Sequence, residues 1–303
     1  MEWFFQQLIN SLALGSIYAL IALGYTMVYG VLRFINFAHS DVLMLGAFAA
    51  FFLAPIIGKI LPPQTFSSAL LIIILAALIC AVIGILIEIL AYRPLRGRPN
   101  LTVLITAIGV SLFIEFTSQH KKVFGSAPRA FPALLPQKNF HLSGLVVNST
   151  DIVVLATTLI LLAAMWFIVQ RTRIGTAMRA VSFNMPAAAL MGINVNHIVS
   201  FTFGIGSALA AIAGILYGMR SPSIDPLMGI QPGLHAFVAA VVGGIGNLPG
   251  AALGGIVLGL VETFAGGIPG LSNYRDGIAF ALLIVILIFR PAGLLGKTTV
   301  EKV

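Results

Sequence analysis

Residues 60–87 read ILPPQTFSSALLIIILAALICAVIGILI and contain no Asp, Glu, Lys or Arg. An apolar, charge-free run of more than ~18 residues is long enough to cross the hydrocarbon core of a bilayer as a helix. The same absence of charge recurs at 3–32, 152–170, 180–219 and 226–261. So many uncharged runs in one chain predict an all-α, polytopic integral membrane bundle. Composition agrees: of 303 residues 59% are hydrophobic and 9% charged, against roughly a quarter charged in an average soluble domain. An ordinary soluble enzyme is excluded.

Set against their breakers, the apolar stretches predict eight spans near 5–30, 41–58, 66–92, 101–119, 151–170, 197–219, 250–265 and 276–290. A ninth stretch, Leu234 to Gly244, lies between Pro232-Gly233 and Gly243-Gly244 and is too short for a full crossing. It reads as a broken or re-entrant segment. Short loops rich in Lys and Arg stay cytoplasmic. Arg93, Arg96 and Arg98 mark one such loop, Arg171, Arg173 and Arg179 a second, and Arg290, Lys297 and Lys302 the tail. These three fall on one side if the 234–244 segment crosses, which puts the N-terminus and the 120–150 loop outside. That loop carries Lys121, Lys122, Arg129 and Lys138 against the rule. Its Pro128, Pro132, Pro136, Gly125 and Gly144 predict irregular extramembranous chain. The first run lacks a basic leader and is too long for a cleaved signal, so it reads as a span.

Other classes fall on chemistry. The net charge of +8 sits in short loops rather than on a soluble face, so nucleic acid is not a partner. Cys80, the one cysteine, lies within an apolar run and reads as a buried core residue. His39, His120, His141, His197 and His235 show no metal-ligand spacing. PAGLLGKT at 291–298 ends like a phosphate-binding loop but has Pro291 where glycine is required and follows a span. It is not a nucleotide site. Small residues four apart (Ala210, Gly214 and Gly218; Gly250 and Gly254; Gly255 and Gly259) form flat helix faces for close packing in lipid. GSIYALIA at 15–22 echoes GSALAAIA at 206–213, and each precedes a polar break carrying a histidine, His39 or His235. Repeated halves place transporter sites where interrupted segments meet.

Between the fifth and sixth spans, RTRIGTAMRAVSFNMPAAALMGIN at 171–194 is too broken to cross a bilayer. Asn184 is a good N-cap, Pro186 suits a first turn, 187–191 favours helix and Gly192 is a natural stop. A short, alanine-rich cytoplasmic helix follows, shaped either to seat in a soluble partner or to lie on its own bundle. At membrane depth, Asn36, His39 and Asp41 interrupt the first two apolar runs, and Gln231, Pro232 and His235 open the short one. Helix capping explains the first group; a path for a zwitterion explains both. An inward-pointing half-helix start at 231–235 would suit a carboxylate. Glu88 reads as an ion pair with Arg93. Glu115 and Glu262 read as span-end groups, or as the coupling carboxylates of an ion-driven carrier.

RTRIGTAMRA followed by AAALMGIN, GYTMVYGVLRFINFAHSD at 24–41, FVAAVVGGIGNLPGAALGGIVLGLVE at 237–262 and the ending FRPAGLLGK resemble the permease subunit of branched-chain amino acid ABC importers, the LivH-like family. The resemblance covers nearly the whole chain. It implies a single transmembrane permease domain over 1–303, type II-like, in a bacterial inner membrane, with loop 171–196 cytoplasmic and loop 120–150 extracytoplasmic. It implies a second, LivM-like permease, two cytoplasmic ATPase subunits that hold the ATP and magnesium, an extracytoplasmic solute-binding protein, and no cofactor in this chain. The coupling role falls on Arg173, Gly175, Arg179, Ala180, Asn184, Ala187, Ala188 and Gly192. The expected path residues are Asn36, His39, Asp41, Gln231 and His235. Unlike the import-permease signature that begins Glu-Ala-Ala, the loop holds no acid between Asp151 and Asp225. Related permeases carry urea or short amides, which is one alternative. A self-contained ion-coupled carrier using Glu115 or Glu262 is the other.

Overall fold

The structure, a computed structural model, describes residues 1–142 and 144–296. Lys297, Thr298 and Lys302, used above in the charge and phosphate-loop arguments, lie outside the described residues. In chain order the helices are α1 Glu2–Leu32, α2 His39–Ile57, α3 Phe66–Ile87, α4 Asn100–Gln119, α5 Ser149–Arg171, α6 Arg173–Phe183, α7 Met185–Leu190, α8 Val195–Arg220, α9 Ile230–Gly243, α10 Leu248–Gly267 and α11 Arg275–Phe289. Helix α3 runs on through a π turn, Glu88–Tyr92, and a 3-10 turn, Arg93–Leu95. Among the described residues eight helices are long and apolar enough to cross a membrane, and they coincide with the eight expected spans. Where starts are sharp, local chemistry explains them. Thr65 and Ser68 form a reciprocal capping box before α3, and Asn148, Thr172, Asn184, Asn194 and Asn247 each accept a backbone N–H at the start of the next helix.

The all-α bundle stands as expected, and only the segment expected to be irregular chain holds some regular structure. The 120–150 segment contains strands β1 Arg129–Ala130, β2 Asn139–Leu142 and β3 Leu145–Asn148. β2 and β3 form an antiparallel hairpin, and β1 pairs with β4, Ser223–Ile224, after α8. Loop backbone outside a helix needs hydrogen-bond partners, and these short ladders supply them.

Helix α1 is the buried axis of the bundle. It packs antiparallel on α10 through interleaved small residues: a Cβ at Gly259 would meet Gly15, and one at Gly255 would meet Ala19. Across α2 and α8, Gly46 faces Ala211 and Gly214 faces the Leu43 carbonyl with no room for a Cβ. The small-residue faces are therefore packing surfaces, where backbones approach closely. Cys80 is fully buried. Helices α3, α4, α5 and α11 turn wide apolar faces outward, where lipid or another subunit can cover them.

One end of the bundle gathers Arg93, Arg96, Arg98, Arg171, Arg173, Arg179 and Arg290, helices α6 and α7, and residues 291–296, and it is the end expected to face the cytoplasm. There the tail folds back under α9. Leu294 N–H donates to the Val242 carbonyl (2.8 Å), Leu295 N–H to that of Gly243 (3.1 Å), and Asn247 Nδ2 to the Leu295 carbonyl (2.6 Å). The opposite end carries the strands. It is tied by Gln6, which exchanges two hydrogen bonds with the Val146 backbone (2.8 and 2.9 Å), and by the Arg220–Asp151 ion pair (2.6 Å).

Helices α1 and α8 run in opposite directions, with Gly24 level with Gly206 and Arg220 reaching the Asn10 carbonyl at 3.3 Å. Each is followed by a break and a second helix that starts inside the bundle. His39, the first residue of α2, packs on Gly24, two turns above the end of α1, which is ~12 Å at 1.5 Å per residue. Ser40 in turn packs on Gly229 and Gly233 at the start of α9. The two sequence echoes thus lie on oppositely directed helices, and the interrupted segments after them meet at membrane depth.

Candidate functional site

At the arginine-rich end, α6 and α7 form a hairpin packed against α1, α5 and α8. Gly175 is buried because a Cβ there would overlap the carbonyls of Ile168 and Val169, so it sets how closely α6 leaves α5. Arg173 is exposed at the first position of α6, and Ala180 is half-buried. Arg179 turns back on its own chain, donating to the Val169 carbonyl and to Thr176 Oγ1 (3.3 Å). Asn184 caps α7 by accepting Ala187 N–H at 3.0 Å. Ala187 is exposed and Ala188 is buried against the bundle, while Gly192 ends the turn with φ +85°. The surface is not the smooth alanine face expected. Phe183, Leu190 and Met191 project from it at 87%, 90% and 83% exposure. Sequence reasoning passed over these three because exposed and buried apolar residues look alike in a string. The hairpin is clamped to the end of α1: Arg33 donates to the Ser182 carbonyl (3.3 Å), and Ser182 Oγ donates to that of Gly30. Arg33 itself adopts φ +56° there.

Above this clamp, Asn36 is buried and accepts the Tyr92 hydroxyl at 2.6 Å. His39 is buried with its ring 4.6 Å from that of Tyr25, and its Nε2 has no hydrogen-bond partner. Asp41 is buried beside Ser111 and Glu115 of α4, with one carboxylate oxygen unpartnered. Asn36, His39 and Asp41 are neighbours in sequence but serve three different contacts. At the start of α9 the Ile230 amide donates to the Leu227 carbonyl (3.1 Å) and the Gly233 amide to that of Gly229 (2.9 Å), and Ser40 packs over Gly229 and Gly233.

Glu88 is fully buried, as an ion pair should be only when well satisfied. It accepts from Arg93 (2.9 Å), Ser200 Oγ (2.7 Å) and Arg96, so it joins the end of α3 to the start of α8. Arg96 also holds Asn196 at 2.6 Å.

Towards the outer end, His235 and Gln231 of α9 meet residues that no linear pattern connects to them. The Tyr18 hydroxyl lies 3.2 Å from His235 Nδ1. Glu262 of α10 and Asp276 of α11 each approach the imidazole at 3.7 Å. Arg275 lies 3.5 Å from Glu262 and 3.4 Å from Asp276, and Gln231 Nε2 is 3.4 Å from Asp276. Glu262 is 2% exposed, whereas Gln231, Arg275 and Asp276 reach the subunit surface. Of the expected path residues, His235 and Gln231 come together here and His39 lies a layer below. Tyr18, Arg275 and Asp276 were missed, the last two because they read as the start of a span.

Residues 7–287 match the family described as "Branched-chain amino acid transport system / permease component". The chain is 42% identical over 308 residues to the high-affinity branched-chain amino acid transport system permease protein BraD of Pseudomonas aeruginosa, covering 99% of this chain and 98% of that one. It is 38% identical to the corresponding permease protein LivH of Escherichia coli K12, again over 99% and 98% of the two chains. A ribose import permease protein, RbsC of Haemophilus influenzae, is 34% identical over 135 residues, 43% of this chain and 42% of that one. No solved structure matches the chain. With eight membrane-crossing helices and full-length relatives of one kind, this multi-pass inner-membrane protein belongs to the permease-component family of branched-chain amino acid transport systems, the membrane subunits of ABC importers.

Proposed function

We propose that residues 1–303 act as a single permease domain that passes leucine, isoleucine and valine across the membrane. A second permease completes the path, an extracytoplasmic binding protein delivers the solute, and two cytoplasmic ATPase chains hold the ATP and magnesium. This chain needs no cofactor and catalyses no reaction. Arg173, Gly175, Arg179, Ala180, Asn184, Ala187, Ala188 and Gly192 build the hairpin that receives the ATPase stroke. Asn36, His39, Asp41, Gln231 and His235 lie along or beside the route.

The observation that carries this reading is the α6–α7 hairpin, with Phe183, Leu190 and Met191 bare on the cytoplasmic end of an otherwise arginine-rich surface. Apolar groups gathered at a polar surface mark a protein contact. The hairpin is also mechanically connected. Its Ser182 is held by Gly30 and Arg33, so a push on α7 moves the end of α1 and the 33–38 break that leads into His39. Helix α1 carries Tyr25 and Tyr18 upward from there to His39 and His235.

The test uses cells carrying the whole importer. Leu190→Glu and Met191→Glu are expected to leave the chain inserted at wild-type levels, to abolish copurification of the ATPase chains and to abolish leucine uptake. Uptake at the wild-type rate would refute the docking role. In wild-type cells, isoleucine and valine are expected to compete with leucine and urea is not; competition by urea alone would reassign the cargo.

A further inference from the structure

Two charged clusters lie inside the bundle, and they are built differently. Around Glu88 every demand is met, with two guanidinium groups and a hydroxyl converging on one carboxylate. Around Glu262 the Tyr18 hydroxyl stands close, yet the carboxylate keeps one oxygen without a partner. Its contacts to His235 and Arg275 are 3.7 and 3.5 Å, and those of Asp276 to the same two groups are 3.7 and 3.4 Å. All are wide of the 2.7–2.9 Å usual for charge-assisted hydrogen bonds. Glu262 Oε2 and Asp276 Oδ1 are both buried without a hydrogen-bond partner. Two carboxylates face one guanidinium, and that guanidinium is half exposed. The cluster therefore holds more negative than fixed positive charge, and one of its carboxylates, Glu262, is buried where that is costly.

We propose that this cluster binds a primary ammonium group, and that its occupant is the α-ammonium of the amino acid in transit. The second part rests on the cargo reading above. One acceptor atom from each of His235, Glu262 and Asp276 lies within 4.8 Å of the other two. Three N–H bonds of a tetrahedral ammonium, each reaching an acceptor at ~2.8 Å, place those acceptors about 4.6 Å apart, so the more exposed Asp276 carboxylate, now 3.7 Å from His235 Nε2, turns outward by about 1 Å to receive one. A divalent cation with ligands at ~2.0–2.6 Å also fits a 3.7 Å pair, but the Arg275 guanidinium, 3.5 and 3.4 Å from the two carboxylates, opposes a second divalent charge. With the imidazole proton on Nδ1, accepted by the Tyr18 hydroxyl, Nε2 faces Asp276 as a free acceptor. Arg275 stands at the exposed rim, where its guanidinium can turn from the acids to the carboxylate of an arriving zwitterion. Gln231, Arg275 and Asp276 form a polar surface patch beside the start of α11, and such a patch next to apolar helix faces is stable only against water or a polar partner.

Phosphatidylethanolamine carries the same ammonium chemistry, so the test separates the two sources. The full-length chain in phosphatidylcholine nanodiscs is probed by saturation-transfer NMR with L-leucine, 3-methylbutylamine and 4-methylpentanoate, with empty nanodiscs subtracted. Leucine and the amine are expected to receive saturation and the acid is not. Glu262→Gln and, separately, the more exposed Asp276→Asn are expected to lower both signals about tenfold, while Glu2→Gln leaves them intact. An acid signal equal to the amine signal, or leucine binding unmoved by both substitutions, overturns the proposal. Loss of the leucine signal when phosphatidylethanolamine is added assigns the site to a lipid headgroup and overturns the cargo assignment; persistence supports it. Leucine uptake by cells carrying the wild-type importer tests the cargo reading separately: uptake without site-dependent binding sinks this inference alone.

Discussion

The contrast between the closed and open clusters makes a quantitative prediction about one conservative change made twice. Glu88→Gln keeps the side-chain shape but turns one carboxylate oxygen into an amide that points N–H at an arginine. Glu88 is fully buried and accepts from three groups. The change loses one charge-assisted hydrogen bond outright and weakens another, each ~1.5–3 kcal/mol. Arg93 and Arg96 keep some contact with solvent, so they recover part of their hydration, and the net loss is about 2–3 kcal/mol. Because the carboxylate is buried, added salt is expected to change that difference little. Glu262→Gln removes a buried charge that has one unpartnered oxygen and only wide contacts. Desolvation relief there offsets the weak attraction, and the expected change is about 0–1 kcal/mol towards greater stability. Equilibrium unfolding of the purified chain in mixed micelles measures both. Equal destabilisation by the two substitutions would mean that the outer cluster is a settled salt bridge, and the reasoning from its geometry would fail.

Three further outcomes follow from single contacts. Gly192→Val places a β-branched residue at φ +85°, where no neighbour lies near a Cβ, so about 1–2 kcal/mol of purely backbone strain should redirect α7 and cut leucine uptake without reducing membrane insertion; unchanged uptake would count against the hairpin's role. Gly46→Leu drives a side chain into the Ala211 backbone, and beyond the usual ~1–3 kcal/mol of overpacking it should separate α2 from α8, seen as loss of protease-resistant chain in detergent. Tyr92→Phe leaves the buried Asn36 oxygen without its 2.6 Å donor and should cost about 1–3 kcal/mol in the same unfolding assay, whereas an unaltered midpoint would show that Asn36 has another partner.

The spans were legible because bilayer thickness and the cost of buried charge act on every residue of a run, so length and charge alone locate them. The fourth span was expected at 101–119 and the helix occupies Asn100–Gln119. The short segment was misjudged at its start: Leu234 was expected and Ile230 is observed. Pro232 looked like a breaker, yet at the third position of a helix its missing N–H has no intrahelical partner to lose. The β2–β3 hairpin escaped notice because two four-residue strands carry too little alternation to stand out beside three prolines. At the site, His235 and Glu262 were each visible as polar residues in apolar surroundings. Nothing local joined them to Tyr18 or Asp276, since four helices, α1, α9, α10 and α11, must pack before these side chains become neighbours. Leu190 and Met191 posed the reverse difficulty: only the packed hairpin reveals which apolar side chains have nothing to cover them.

The folded-back tail bears on biogenesis. The last carbonyls of a helix have no partner within it, and at the end of α9 those of Val242 and Gly243 are taken by the amides of Leu294 and Leu295. Synthesis reaches these residues only after α10 and α11 have been made. While the ribosome is still extending the chain, the inner end of α9 must therefore rely on water or the insertion machinery for its hydrogen bonds. A nascent chain halted just before residue 294 would hold all eight of the membrane-crossing helices described above and still lack the contact that finishes α9.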